Sequence, residues 1–184
     1  MLFRIVLIVC FFTGTLSFAQ SHVKYQSRSL LRTLKKSGIS SFSEIKEIKN
    51  AGALNESPMT MGKFYEVLPN NSRFKYIYVG RVNSCRAGGC SAPTLDGQNL
   101  TSEYFDYFIL FNQQKAVLQV KVFNYQATHG HEITAKGWLK QFIGYNGTQS
   151  LAIDKDIDSI SGATISVNAI TSDIANQIQV LKQL

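Results

Sequence analysis

The sequence predicts an α+β domain: a small antiparallel sheet with one covered face, flanked by helices and closed by an amphipathic C-terminal helix. Three observations carry this. Tyr104 to Phe111 and Ala116 to Tyr125 are two β-rich arms joined by the short polar link Asn112-Gln113-Gln114-Lys115, the pattern of an antiparallel hairpin. In the second arm Leu118, Val120 and Val122 fall on one face and Gln119 and Lys121 on the other. Near the end, Val167, Ile170, Ile174, Ile178 and Leu181 follow one another at spacings of 3, 4, 4 and 3, the core stripe of a helix. With 45% hydrophobic and 17% charged residues, the 184-residue chain is globular in composition and long enough for one domain, or one plus an appendage.

In chain order, Met1 to Ala19 reads as a secretion signal. Arg4 supplies the positive start, Ile5 to Phe12 the apolar middle, and Ser17-Phe18-Ala19 a small-x-small exit. The apolar run is short for a membrane span, so an extracytoplasmic, periplasmic or secreted protein is expected. The net charge of +7 falls by one unit with Arg4. Lys24, Arg28, Arg32, Lys35, Lys36, Lys46 and Lys49 gather much of the remainder, either as a solvated helix face or as an attraction for anionic lipid or an acidic partner. No nucleic-acid motif accompanies them. Ser27 to Ser37 predicts a helix with Leu30, Leu31 and Leu34 on one side and Gly38 after it. Phe42, Ile45 and Ile48 repeat the spacing and predict a second helix, capped by Ser41 or Ser43. Asn50 to Gly62 is loop-like. From Lys63 the period changes: Phe64 to Leu68 ends at Pro69, and Phe74 to Val82 reads as a strand. The expected organisation is a leader at 1–19, an N-terminal helical segment at 20–62 and a sheet-bearing domain at 63–184.

The chemistry concentrates in Asp158-Ser159-Ile160-Ser161-Gly162-Ala163-Thr164, just before the C-terminal helix. A hydroxyl there sits at the positive end of a helix, where free N–H groups and the peptide dipole favour an anion by roughly 0.3 to 1 kcal/mol. Gly162 and Ala163 place little bulk in the way of a phosphoryl group. An ordinary helix start, with Thr164 or Ser166 as cap and Asp158 solvating a loop, is the plain alternative.

Asp158-x-x-Ser161-Gly162-Ala163-Thr164 resembles the flavinylation motif of the FMN-binding domain family. That family includes the C subunit of the sodium-pumping NADH:quinone reductase and the G subunit of the Rnf complex. The resemblance implies that an FAD:protein FMN transferase joins the phosphate of FMN to Thr164 as a phosphodiester. Asp158, Ser161, Gly162 and Ala163 would then be the loop that the transferase reads. It also implies a small curved sheet that holds the flavin, and assigns 63–184 to the FMN-binding domain. Many relatives carry Glu-Thr-Pro-Gly and then a Gln-Phe-x-Gly-like segment; here Glu132 and Gln141-Phe142-x-Gly144 match, while Ile133, Thr134 and Ala135 depart from it.

Cys85 and Cys90, the cysteines beyond the leader, bracket Arg86-Ala87-Gly88-Gly89 and fit a disulfide in an oxidising compartment better than a catalytic dithiol. His129, His131 and Glu132 line either a loop or the flavin pocket, where a titratable side chain can assist proton movement. Trp138, Tyr125, Phe123 and Tyr145 are candidates for ring stacking or, more simply, core. The chain has no dinucleotide fingerprint, Walker loop or nucleophile elbow. Electrons must therefore come from, and go to, a membrane-bound or extracytoplasmic partner. The leading expectation is a carrier, or a subunit of a larger oxidoreductase. Its rivals are a non-redox module of the same fold and a thiol-disulfide protein.

Overall fold

The computed structural model describes residues 22–49, 60–69, 72–86 and 102–184. Five strands form one sheet: β1 (Ile45–Ile48), β2 (Thr60–Val67), β3 (Tyr76–Arg86), β4 (Ser102–Phe111) and β5 (Val117–Tyr125), in the order β1-β2-β3-β4-β5. Every neighbouring pair is antiparallel. The helices are α1 (Arg28–Lys36), the single-turn α2 (Lys136–Leu139) and α3 (Thr164–Gln183). The leader expected at 1–19 lies outside the described residues. Among the described residues, no helix is long and apolar enough to cross a membrane.

The expected hairpin forms, with Asn112 closing its turn: Asn112 N–H donates to Ala116 C=O, and the Asn112 side chain accepts from Ala116 N–H. α1 also forms, its start capped by Ser27 Oγ accepting from Leu30 N–H at 3.2 Å. Leu30 and Leu34 are buried, whereas Leu31 is exposed and does not share their face.

The second expected helix is corrected. Ser41 does cap a turn there, in a capping box with Glu44, but the turn is a 3-10 helix of three residues, Phe42–Glu44. The chain then extends as β1, where Ile45 pairs with Val67 and Ile48 with Phe64. Two isoleucines at helical spacing gain more by joining a sheet edge than seven residues gain as an isolated helix. β2 starts at Thr60, so this strand straddles position 62.

The expectation of one covered face is also corrected. α3 covers one face, packing Val167, Ile170, Ile174 and Ile178 on Tyr78, Tyr107 and Ile109. α1 covers the other, packing Leu30 and Leu34 with Ile77, Val79, Phe108 and Leu110. Leu118 and Phe123 belong to the α1 side, while Val120 and Val122 face α3. Register shifts at Leu110/Phe111 and Asp106/Tyr107 cause this, because one extra residue reverses the side that the following residues face. The stripe on α3 is buried as expected, each aliphatic side chain contributing about 1.5–3 kcal/mol. On the α3 face the Tyr78 ring lies across the directly paired Gly62 and Gly80. A Cβ at either position would sit 2.2 Å from Tyr78 Oη, so both places are closed to side chains.

Asp173 of α3 is buried in this layer and accepts from Tyr107 Oη at 2.5 Å and from Gln177 Nε2 at 2.9 Å. Burial pushes its carboxyl up to about 6, outweighing both hydrogen bonds, which favour the charged form. The folded chain therefore holds this proton more tightly than the unfolded one. The resulting stability is fully present below the ordinary carboxylate value of about 3.9 and is lost as pH rises through about 6. The difference is on the order of 3 kcal/mol. Asp173→Asn is expected to resist urea better than the parent at about pH 8, with the advantage gone near pH 4; midpoints measured across that range check it.

Candidate functional site at the start of α3

α3 begins at Thr164, and no side chain caps it. The residue before it, Ala163, is buried and has no hydroxyl or carboxylate to offer; its carbonyl accepts the Val167 N–H at 2.9 Å. No acidic residue lies in the first turn. The terminus thus keeps the donors and positive potential that suit an anion. Thr164 is exposed, and its hydroxyl has no hydrogen-bond partner among the described residues. The plain reading, in which Thr164 or Ser166 caps the helix, does not hold.

Gly162 precedes this start with φ +78°. A Cβ there would meet nothing within 4 Å. The glycine is thus required for its left-handed backbone rather than for room, which revises the reason given by the sequence. Gly162→Val should strain the turn by about 1–2 kcal/mol, whereas Gly162→Asn tolerates the conformation better. If the turn matters for modification, flavin loading at fixed transferase exposure will fall in the order glycine, asparagine, valine, as read by intact mass.

The rest of the motif is held by its backbone. Gln141 Oε1 accepts from Asp158 N–H at 2.7 Å, and Trp138 Nε1 donates to Asp158 C=O at 2.8 Å. Gln141 Nε2 in turn donates to Trp138 C=O. Trp138 is buried edge-on against Phe142 and acts as a clamp on the motif loop, not as an open stacking platform. Tyr145 is buried too, and Phe123 lies on the opposite face of the sheet. These anchors leave the side chains of Asp158 and Ser161 exposed, beside Thr164 in the chain.

A second group of residues reaches the same helix turn from the sheet. Ser166 is buried, and its Oγ lies 3.0 Å from Tyr125 Oη and 2.9 Å from Ser84 Oγ. Tyr125 gives its single proton to His129 C=O at 2.5 Å, so Ser166 donates to Tyr125 and Ser84 to Ser166. Burial raises the Tyr125 phenol above its ordinary value, the Glu103 and Glu132 carboxylates add to this, and the Ser166 bond opposes it. Tyr125 thus remains a neutral donor at physiological pH. Gly130 closes the group: a Cβ there would lie 2.7 Å from Ser166 Oγ and 2.9 Å from Tyr125 Oη. His131 sets its ring edge-on to Tyr125, centroids 5.4 Å apart, and both His131 and Glu132 are exposed. The structure thereby brings His131 and Tyr125 to the first turn of α3. Ser84, Gly130 and the buried role of Ser166 escaped the sequence reading.

Residues 104–179 match the model of the FMN-binding domain. The chain carries an FMN-binding domain. FMN is accordingly its cofactor, and the match spans the hairpin, the Gln141 clamp, the motif and most of α3. No curated protein matches the chain. The residues fit the group: the helix start is uncapped, its first turn lacks carboxylates and a free hydroxyl stands at its head. Cys90 and the side chain of Cys85 lie outside the described residues, as does their expected disulfide.

Proposed function

We propose that this flavin-binding protein carries FMN covalently on Thr164 and works outside the cytoplasm as an electron carrier. The observation that carries the reading is the exposed, unpartnered Thr164 hydroxyl at the uncapped start of α3. In the modification Thr164 Oγ1 forms a bond to the FMN phosphorus of FAD, the pyrophosphate bond breaks, AMP leaves and the threonine proton is released. The first-turn N–H groups of α3 would face the resulting phosphodiester, which keeps one negative charge. Asp158, Ser161, Gly162 and Ala163 would present the loop to an FAD:protein FMN transferase. Bound FMN supplies one- and two-electron transfer, chemistry that belongs to the cofactor.

The protein's part is attachment and surroundings. Tyr125, fixed by Ser166 and His129 C=O, offers a neutral aromatic wall against the first turn of α3. His131, edge-on to Tyr125, and Glu132 are exposed on the same side. A tether suits a compartment where a dissociated flavin would be lost by dilution. The leader at 1–19 and the absence of a dinucleotide fingerprint support an exported carrier that exchanges electrons with a membrane-bound or extracytoplasmic partner. The test is direct: protein made together with the transferase, then precipitated in acid, should keep yellow fluorescence in the pellet. A colourless pellet refutes covalent attachment and leaves either FMN held without a covalent bond or a non-redox module of the same fold.

A further inference from the structure

Along the edge strand β5, outside the motif, the structure gathers positive charge into a hollow. Two adjoining clefts of about 510 and 430 Å³ share Thr33, Lys36 and Lys121. Arg32, Lys35 and Lys36 of α1 meet Lys121 of β5 there, joined by Lys136 of α2 and Lys140 after it. None of the six is ion-paired to a carboxylate among the described residues, whose ion pairs are Lys63–Glu47, Lys75–Glu66 and Arg81–Asp106. Among the described residues, no acidic residue lines either cleft.

The helix dipole accounts for Lys35 and Lys36, which lie in the last turn of α1. It does not account for Lys121, Lys136 and Lys140, which come from other segments and converge on the same space. A merely solvated face would spread like charges apart on convex surface. Here they surround a concavity floored by Phe74, Leu118 and Leu139. Lys121 feels the crowding: burial first, then repulsion from Lys136, Arg32 and Lys36, bring its ammonium below its ordinary value. An anion in the cleft would relieve that repulsion. The apolar floor and the exposed Ile143 at the rim favour one that brings a nonpolar body along with its charge.

We infer that the cleft between α1, β5 and α2 binds a phosphate-bearing anion, either a soluble phosphate compound or the headgroup of an anionic lipid. The site is separate from the motif, because no residue of 158–164 lines either cleft: it lies at the β5 edge, between α1 on one face of the sheet and Leu139 of the α3-side core on the other. It therefore stands whether or not Thr164 carries flavin.

The test uses the full chain, with sodium pyrophosphate as soluble probe and vesicles of phosphatidylglycerol mixed with phosphatidylcholine, against phosphatidylcholine alone. Saturable pyrophosphate binding by calorimetry, weakening as salt is raised, assigns the soluble source. Greater co-sedimentation with phosphatidylglycerol vesicles than with phosphatidylcholine assigns the lipid source. In either case the double variant Lys36→Gln/Lys121→Gln should bind roughly tenfold more weakly or worse, and Lys140→Gln, at an exposed position, should weaken binding without altering the unfolding midpoint. Thr164→Ala should bind as the parent does. The inference is overturned if neither probe binds, or if the lysine variants bind like the parent.

Discussion

Thr164→Ala is expected to abolish covalent flavin loading. In the parent chain made with the transferase, intact mass should show one added FMN-phosphoryl group; in the variant that increment should vanish entirely. The effect is all or none because the bond to phosphorus is made by the oxygen that alanine lacks. Fold damage is a poor alternative explanation here. Thr164 is exposed, its hydroxyl holds nothing among the described residues, and alanine is the better helix former, so stability should change by no more than about 0.5 kcal/mol. Thr164→Ser restores an oxygen at the same helix position and should recover part of the loading. A mass increment that survives the alanine change would place the flavin on another residue, and the hydroxyls of Ser161 and Ser159 would then need the same trial.

The start of α3 at Thr164 was legible because its signal is local. An apolar stripe of fixed period announces α3, and a glycine followed by a small residue announces where it begins. The β4–β5 hairpin was legible for the same reason. What escaped depends on residues distant in the chain. Ile45 and Ile48 fit a helix until β2 is present to pair with them. Leu118 points away from Val120 because of a register shift against β4, which no alternation within β5 can reveal. The contact of Ser84 with Ser166 joins positions 82 apart, and neither serine stands out in its own neighbourhood. Tyr125 and Trp138 were noticed as aromatics, but their work here is done by a hydroxyl and an indole N–H. Composition names such side chains without saying which end acts.

The largest loss of stability is expected at a pair the sequence did not mark. Arg81 of β3 and Asp106 of β4 stand directly opposite each other on the α1 face, Asp106 wholly buried and Arg81 nearly so. Arg81 Nε and Nη2 donate to the two carboxylate oxygens at 2.6 and 3.0 Å, and Asn124 Nδ2 adds a third bond at 2.8 Å. The guanidinium also lies over the Tyr104 ring, 3.6 Å from its centre. Asp106→Ala removes the carboxylate that pairs with this buried guanidinium among the described residues. That should cost about 3–5 kcal/mol, a large share of the roughly 5–15 kcal/mol that holds a typical domain together. The pair itself need not be worth so much, since desolvation of both charges offsets most of their attraction. The two statements separate in a double variant: Arg81→Met/Asp106→Leu, which removes both charges and fills the space, should unfold at a urea concentration much closer to the parent than Asp106→Ala does. If the double variant is instead as unstable as the sum of its single changes, the charges act independently and the penalty belongs to lost packing rather than to a guanidinium that has lost this carboxylate.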